Sequence, residues 1–198
     1  MLHLLRAVML GANLCLTGCV PPTESSQPSI PQERTTTAAQ VSWVQPGGGC
    51  VSSQPEVCFD ARDNNCNGLM DEGCGLLSGS IEFAVAWPYA EVDVDLLVYD
   101  PSGDLAQPAA TAEGGLRKPR DCPGREGACG KSNFERVYLA PRFEAKAGQY
   151  RVRVRLEKLG NTEPPVVASL FARLVNRSFA AEILLQHEGD EAELVFEL

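Results

Sequence analysis

Histidine is almost missing from this chain: two among 198 residues, His3 and His187. Serine triads and zinc hydrolase sites both need an imidazole, and His187 stands on an expected strand with no motif around it. No G-x-S-x-G occurs, and no glycine-rich loop opens a helix. Acids are plentiful, so composition leaves a paired-carboxylate hydrolase open, although nothing singles out a pair. Basic clusters are also lacking. With 17 Lys and Arg against 26 Asp and Glu, the net charge is −9, which argues against nucleic acid as a partner. Beyond the first twenty residues no apolar run is long enough to span a bilayer, and no window reads as a long amphipathic helix. The chain is therefore expected to be mainly β and non-catalytic.

What is present begins with a leader, MLHLLRAVMLGANLCLTGC. Arg6 precedes a short apolar run from Ala7 to Leu16, too short for a permanent transmembrane helix and suited to an export signal. The run ends in Leu16-Thr17-Gly18-Cys19, which resembles the lipobox of bacterial lipoproteins. That resemblance implies cleavage before Cys19 and acylation of its thiol and new amino group, with residues 1–18 removed. Thr17 and Gly18 are small enough for a protease cleft. Val20 rather than Asp follows Cys19, which in that family favours the outer membrane. Several acyl chains on one residue anchor stably where a single chain does not. Loss of Arg6 leaves a mature chain of roughly −10, large enough for one domain and an appendage.

Of eight cysteines, Cys15 leaves with the leader and Cys19 carries lipid. Cys50, Cys58, Cys66, Cys74, Cys122 and Cys129 remain, and an even number in an exported chain reads as disulfides. Cys122 and Cys129 form a local pair. The other four are spaced by eight and allow three connectivities, among which this reading leans to Cys50–Cys66 with Cys58–Cys74.

Residues 19–49, rich in Pro, Ser, Thr and Gln, read as a disordered, lipid-anchored linker. Trp43 and Val44 are its one sizeable apolar pair, either docked on the module that follows or exposed. Residues 50–75 form a small module that cannot bury a core of its own and must be held by cross-links, a bound ion, or both.

From residue 78 to 198 the pattern is strand-like. Ile81, Phe83, Val85 and Trp87 share one face, as do Val92, Val94, Leu96 and Val98. Tyr150, Val152, Val154 and Leu156 alternate against Arg151, Arg153 and Arg155. Glu188-Gly189-Asp190 supplies a hairpin turn. Seven or eight short strands predict an antiparallel β-sandwich, Ig-like or jelly-roll. Residues 109–133 read as a long loop pinned by Cys122 and Cys129.

Aligned on Asp63, the module offers oxygen side chains at positions 1, 3 and 5 of an EF-hand-type loop, from Asp63, Asn65 and Asn67. Gly68 allows the turn at position 6, the Leu69 carbonyl serves position 7, and Asp71 falls at position 9. Hard oxygen donors without histidine favour Ca²⁺. The bidentate Glu expected at position 12 is Cys74, for which Glu72 compensates, and affinity in the range of roughly 10⁻⁴ to 10⁻³ M is expected. The competing readings are Asx-turns without an ion and, less compatible with an oxidising compartment, a four-cysteine zinc site.

The stretch EVCFDARDNNCNGLMDEGC resembles the Cys/Asp repeat of MopE-type surface proteins and of many bacterial lipoproteins. The match rests on Glu56, Cys58, Asp63, Asn64, Cys66, Gly68, Asp71, Glu72, Gly73 and Cys74, and implies metal binding. Asn65 and Asn67 stand where that repeat usually has Asp, which weakens a cation site without removing its oxygens. EVDVDLLVYDPSGD, SNFERVYL and GQYRVRVRL resemble exported β-sandwich modules of the YfaP-like and pre-peptidase C-terminal kinds. Asp93 and Asp95 share a strand face, as do Asn133 and Glu135. Adjoining faces would make these four a second Ca²⁺ site, and separate faces would leave them as solvated acids.

The expectation is a lipid-anchored protein of the outer membrane or cell surface, binding protein or glycan in the envelope and carrying Ca²⁺. The alternative is an envelope hydrolase or peptidase accessory using an acidic site on the sandwich.

Overall fold

Alternation of apolar and polar residues builds the sheets directly. The computed structural model describes residues 30–35, 39–45, 49–122 and 132–198; the expected leader, the expected lipidation residue Cys19, and Cys129 lie outside the described residues. Ten strands run in chain order: β1 Gln32–Thr35, β2 Gln40–Val44, β3 Ile81–Ala86, β4 Asp93–Tyr99, β5 Leu116–Arg117, β6 Phe134–Leu139, β7 Gln149–Lys158, β8 Val166–Leu174, β9 Arg177–Leu185 and β10 Glu191–Glu197. They form a four-stranded sheet, β1-β10-β7-β4, and a six-stranded sheet, β2-β9-β8-β3-β6-β5, all antiparallel. The two sheets pack face to face as a β-sandwich, as expected.

The core is the sum of the inward positions. Phe83 and Val85 on β3, Leu96 on β4, Val154 on β7, Leu170 on β8, Ile183 on β9 and Phe196 on β10 are all buried in one cluster. Each such side chain contributes roughly 1.5–3 kcal/mol by leaving water. The outer face of the four-stranded sheet stays polar, with Arg151 and Arg153 stacked over the Tyr99 ring and Arg153 paired to Glu193 at 2.7 Å. The β9–β10 hairpin turns as anticipated, with the Asp190 carboxylate accepting the Gln186 and His187 N–H groups.

Two boundaries differ from the expectation. The linker assigned to residues 19–49 contains β1 and β2, which extend opposite sheets along β10 and β9. Its composition is poor in apolar residues, but an edge strand needs one inward face only, and Val41 and Trp43 supply it. Trp43 accordingly docks on the sandwich, edge-on to Phe196 with ring centroids 6.2 Å apart, and donates to Glu33. It does not depend on the module for cover. The loop expected over residues 109–133 contains the short strand β5, which pairs with β6 and brings Lys118 inside.

Residues 50–75 carry no regular strand, and they do not stand apart. Ala61 and Met70 pack on Ala84, Ala86, Phe134 and Phe171, which project from the outer face of the six-stranded sheet. Phe59 meets Phe134 edge-on at 5.6 Å. The module thus shares a second, smaller core with the sheet, which explains why six consecutive residues of β3 are buried. Residues Pro31–Leu198 form one compact unit.

Candidate metal centre

The module is held by two interleaved disulfides, Cys50–Cys66 and Cys58–Cys74, the connectivity to which the sequence reading leaned. Each closes a loop of about 15 residues, worth about 3 kcal/mol in the chain-entropy account. Cys122 is also disulfide-bonded. Its expected partner, Cys129, lies outside the described residues.

Within this frame the loop is organised by carboxylates that accept backbone N–H groups. Glu56 Oε1 accepts from Asn64 and Asn65, both at 3.1 Å, and its Oε2 accepts from Asp71 at 3.0 Å. Asp63 Oδ1 accepts from Asn67 at 3.1 Å and Oδ2 from Gly68 at 2.8 Å. Asn65 Oδ1 accepts the Asn67 N–H, and Asn67 Oδ1 the Leu69 N–H. These are the Asx-turns that reverse the chain, with Gly68 at φ 81° and Cys66 and Asp71 also left-handed at 66° and 53°. Gly68 avoids the Cβ penalty that its neighbours bear.

The expected ligands therefore divide. Asp63, Asn65 and Asn67 each spend lone pairs on the loop's own backbone, although every such oxygen keeps a second lone pair. Asn65 and Asn67 turn their amide nitrogens toward one atom, Glu72 Oε1, at 2.5 Å for Asn67. Asp71 is fully buried; one of its oxygens accepts the Phe59 N–H at 2.5 Å. Asp71 Oδ2 and Glu72 Oε2 are buried without a hydrogen-bond partner. Burial raises the Asp71 pKa to about 7, Asp60 and Glu56 adding to it against the Phe59 N–H. Glu56 is raised too, by burial first and by Glu72. Each orphaned oxygen has acids near it, Asp60 and Glu56 acting on Asp71 and Glu72 acting on Glu56, and an unpartnered buried carboxylate oxygen is a donor a hard divalent cation can use. Asn65 and Asn67 stand beside Glu72. Among the described residues the acids of this loop do not form a group of three with oxygens within 4.8 Å of one another. Glu56, visible in the sequence only as a position of the Cys/Asp repeat, is the loop's main internal acceptor. Its two oxygens are taken up by three backbone N–H groups, and so it shapes the loop.

The second expected site falls where β4 and β6 approach one another. Asp95 and Glu135 do come together, with an acid not anticipated, Asp121; one oxygen from each lies within 4.8 Å of the others. Asp93 stands close enough to raise the Asp95 pKa. Asn133 precedes β6, and its carbonyl accepts the Trp87 N–H at 3.1 Å.

The charge these acids surround is an ammonium. Lys118 is 2% exposed, with Nζ at 2.8 Å from Glu135 and 2.6 Å from Asp121. Burial works against the Lys118 charge, but the Glu135 and Asp121 carboxylates more than offset it and hold its pKa above the ordinary value. Glu135 Oε2 also accepts the Leu96 N–H and Oε1 the Cys122 N–H, both at 2.7 Å. Burial pulls Glu135 upward, yet two N–H donors and an ammonium are the surroundings of a carboxylate. Of the four residues expected at the second site, Asp95 and Glu135 are brought together, with Asp93 near Asp95, and they share their surroundings with Asp121 and the Lys118 ammonium. A lone lysine in a polar loop gave no signal of burial, so Lys118 was not foreseeable.

A third charged cluster lies beneath the module. Glu82 on β3 is buried, with Arg136 at 3.1 Å and Arg173 at 3.6 Å. Arg136 also donates to the Leu77 carbonyl and Arg173 to that of Gly79, fastening the segment that leaves the module. Compared with protein-family models, curated proteins and solved structures, the chain matches none.

Proposed function

We propose that this is an exported, lipid-anchored protein of the outer membrane or cell surface, without catalytic activity, in which a disulfide-locked loop holds Ca²⁺ against a β-sandwich that binds protein or glycan in the envelope. The observation that carries the calcium reading is the pair of buried, unpartnered oxygens, Asp71 Oδ2 and Glu72 Oε2. Asp71 and Glu72 would supply the negative ligands, and Asn65 and Asn67 the neutral ones through their remaining lone pairs. A bound cation would neutralise the loop and stiffen its contact with the sheet. Disulfides support an oxidising compartment, and Leu16-Thr17-Gly18-Cys19 supports the anchor. The non-catalytic reading is supported by His187, whose side chain is 71% exposed on a hairpin turn beside Asp190.

The test is calorimetric titration of the full chain with Ca²⁺, reversed by EDTA. Glu72→Gln is the informative variant, because Asp63 also shapes the backbone. Binding in the range of roughly 10⁻⁴ to 10⁻³ M, lost in Glu72→Gln while both disulfides persist, is the expected result. No calcium-dependent heat or melting shift at millimolar Ca²⁺ would defeat the metal assignment.

A further inference from the structure

Where the chain leaves the module and crosses β5 and β6, it lines a cavity of about 280 Å³. Three arginines border it, Arg117, Arg120 and Arg136, and none of its lining residues is acidic. In a chain of net charge −9 that is a local reversal of sign. The reversal follows from strand register. Arg117 on β5 lies directly opposite Tyr138 on β6, and Arg136 is two residues before Tyr138, so all three share the outer face.

Their states differ in a useful way. Arg136 is 6% exposed and committed, with one nitrogen on Glu82, another on the Leu77 carbonyl, and its guanidinium 4.6 Å above the Tyr138 ring. It is a fixed wall. Arg117 and Arg120 are exposed at the rim and have no ion pair among the described residues. Phe134 and Leu76 give the cavity an apolar side. Two exposed guanidinium forks at the mouth of a small, part-apolar cavity match a planar anion carrying an apolar group, because a guanidinium meets a carboxylate through two parallel N–H donors. The volume lies just under the usual range for small-molecule sites, which suits a ligand of one or two amino-acid residues.

We infer that this cavity binds a carboxylate next to an apolar side chain, the chemistry of a peptide C-terminus ending in an apolar residue, with Arg117 and Arg120 engaging the carboxylate and Phe134 and Leu76 receiving the apolar group. The site is separate from the calcium loop and its test is run in EDTA, so failure of one assignment leaves the other standing.

The probe is N-acetyl-leucine, titrated into the full chain and followed by nuclear magnetic resonance at the arginine side chains and at Phe134. N-acetyl-leucinamide, identical but uncharged at that end, and inorganic phosphate are the comparators. Saturable shifts with N-acetyl-leucine, at least about tenfold weaker with the amide, are expected. Arg117→Gln and Arg120→Gln should each weaken binding by about tenfold without moving the melting temperature, since both side chains are exposed. Equal binding of acid and amide, or phosphate binding without N-acetyl-leucine, overturns the assignment. So does the absence of saturable shifts with all three, or unaltered binding in both variants.

Discussion

Glu135 on β6 accepts the backbone N–H of Leu96 on β4 at 2.7 Å, so one carboxylate joins the two sheets along the side of the sandwich. β4 is an edge strand, and without Glu135 this amide would face the interior unsatisfied. Lys118 completes the arrangement as the counter-charge. Removing either member should therefore cost unequally. Glu135→Leu strands two N–H groups and leaves the buried Lys118 ammonium with Asp121 as its remaining close partner, and is expected to lose about 3–5 kcal/mol in urea unfolding. Lys118→Met leaves an acid that can take up a proton and should lose distinctly less. A larger loss for Lys118→Met would show that the lysine, not the glutamate, organises the bridge.

Stability should fall as pH rises through neutrality. Burial beneath the module raises the Glu82 pKa to about 7, more than Arg136 and Arg173 lower it, and Asp71 adds to the shift. The folded state thus holds this proton more tightly than the unfolded chain, whose glutamate titrates near 4.3. The associated stability is complete below that value and is lost progressively up to about pH 7. Asp95, raised by burial to about 6, acts in the same direction. Melting temperatures from pH 4 to 8 should decline, and Glu82→Gln should flatten the decline. An unchanged slope in the variant would assign the pH dependence elsewhere.

Docking of the module rests on Phe134, which meets Phe59 from below. Phe134→Ala should cost about 3 kcal/mol and open a gap under Met70. Hydrogen exchange over residues 57–72 should accelerate, while strands β7 and β10 keep their relative protection. Uniform acceleration throughout would mean that module and sandwich unfold as one.

Glu56 is the loop's main internal acceptor, taking three backbone N–H groups. Glu56→Ala should lower stability by about 2 kcal/mol and weaken calcium binding by releasing the backbone turns it holds. If calcium affinity holds in this variant, the loop is shaped by its disulfides alone.

Trp43 distinguishes a strand from a tether. Trp43→Ala should destabilise the protein by about 2 kcal/mol in chemical denaturation, because the ring covers Phe196 at the sheet edge. A silent substitution would restore residues 40–44 to the linker.

Residues on strands with strict alternation were legible because a period of two needs no knowledge of the partner. Val94, Leu96 and Val98, or Tyr150, Val152 and Val154, could only turn inward together. The same holds for the Asx-turns of Asp63, Asn65 and Asn67, whose partners lie within five residues. Edge strands were hidden because half their positions face solvent and their apolar content matches that of a linker.

By itself the sequence determined the β-sandwich, the glycine-turned Asp/Asn loop and the acid-rich character of the module, since each depends on spacing along the chain. Tertiary structure alone decided three things. It put Phe134 and Phe171 under the module, so that a segment too short for a core borrows one. It drew Lys118 in among Asp95, Asp121 and Glu135, two of which are acids of the second expected site. And it gathered Arg117, Arg120 and Arg136 around one cavity. Each is a matter of which sheet faces meet, and charge and burial follow from that meeting rather than from neighbours in the chain.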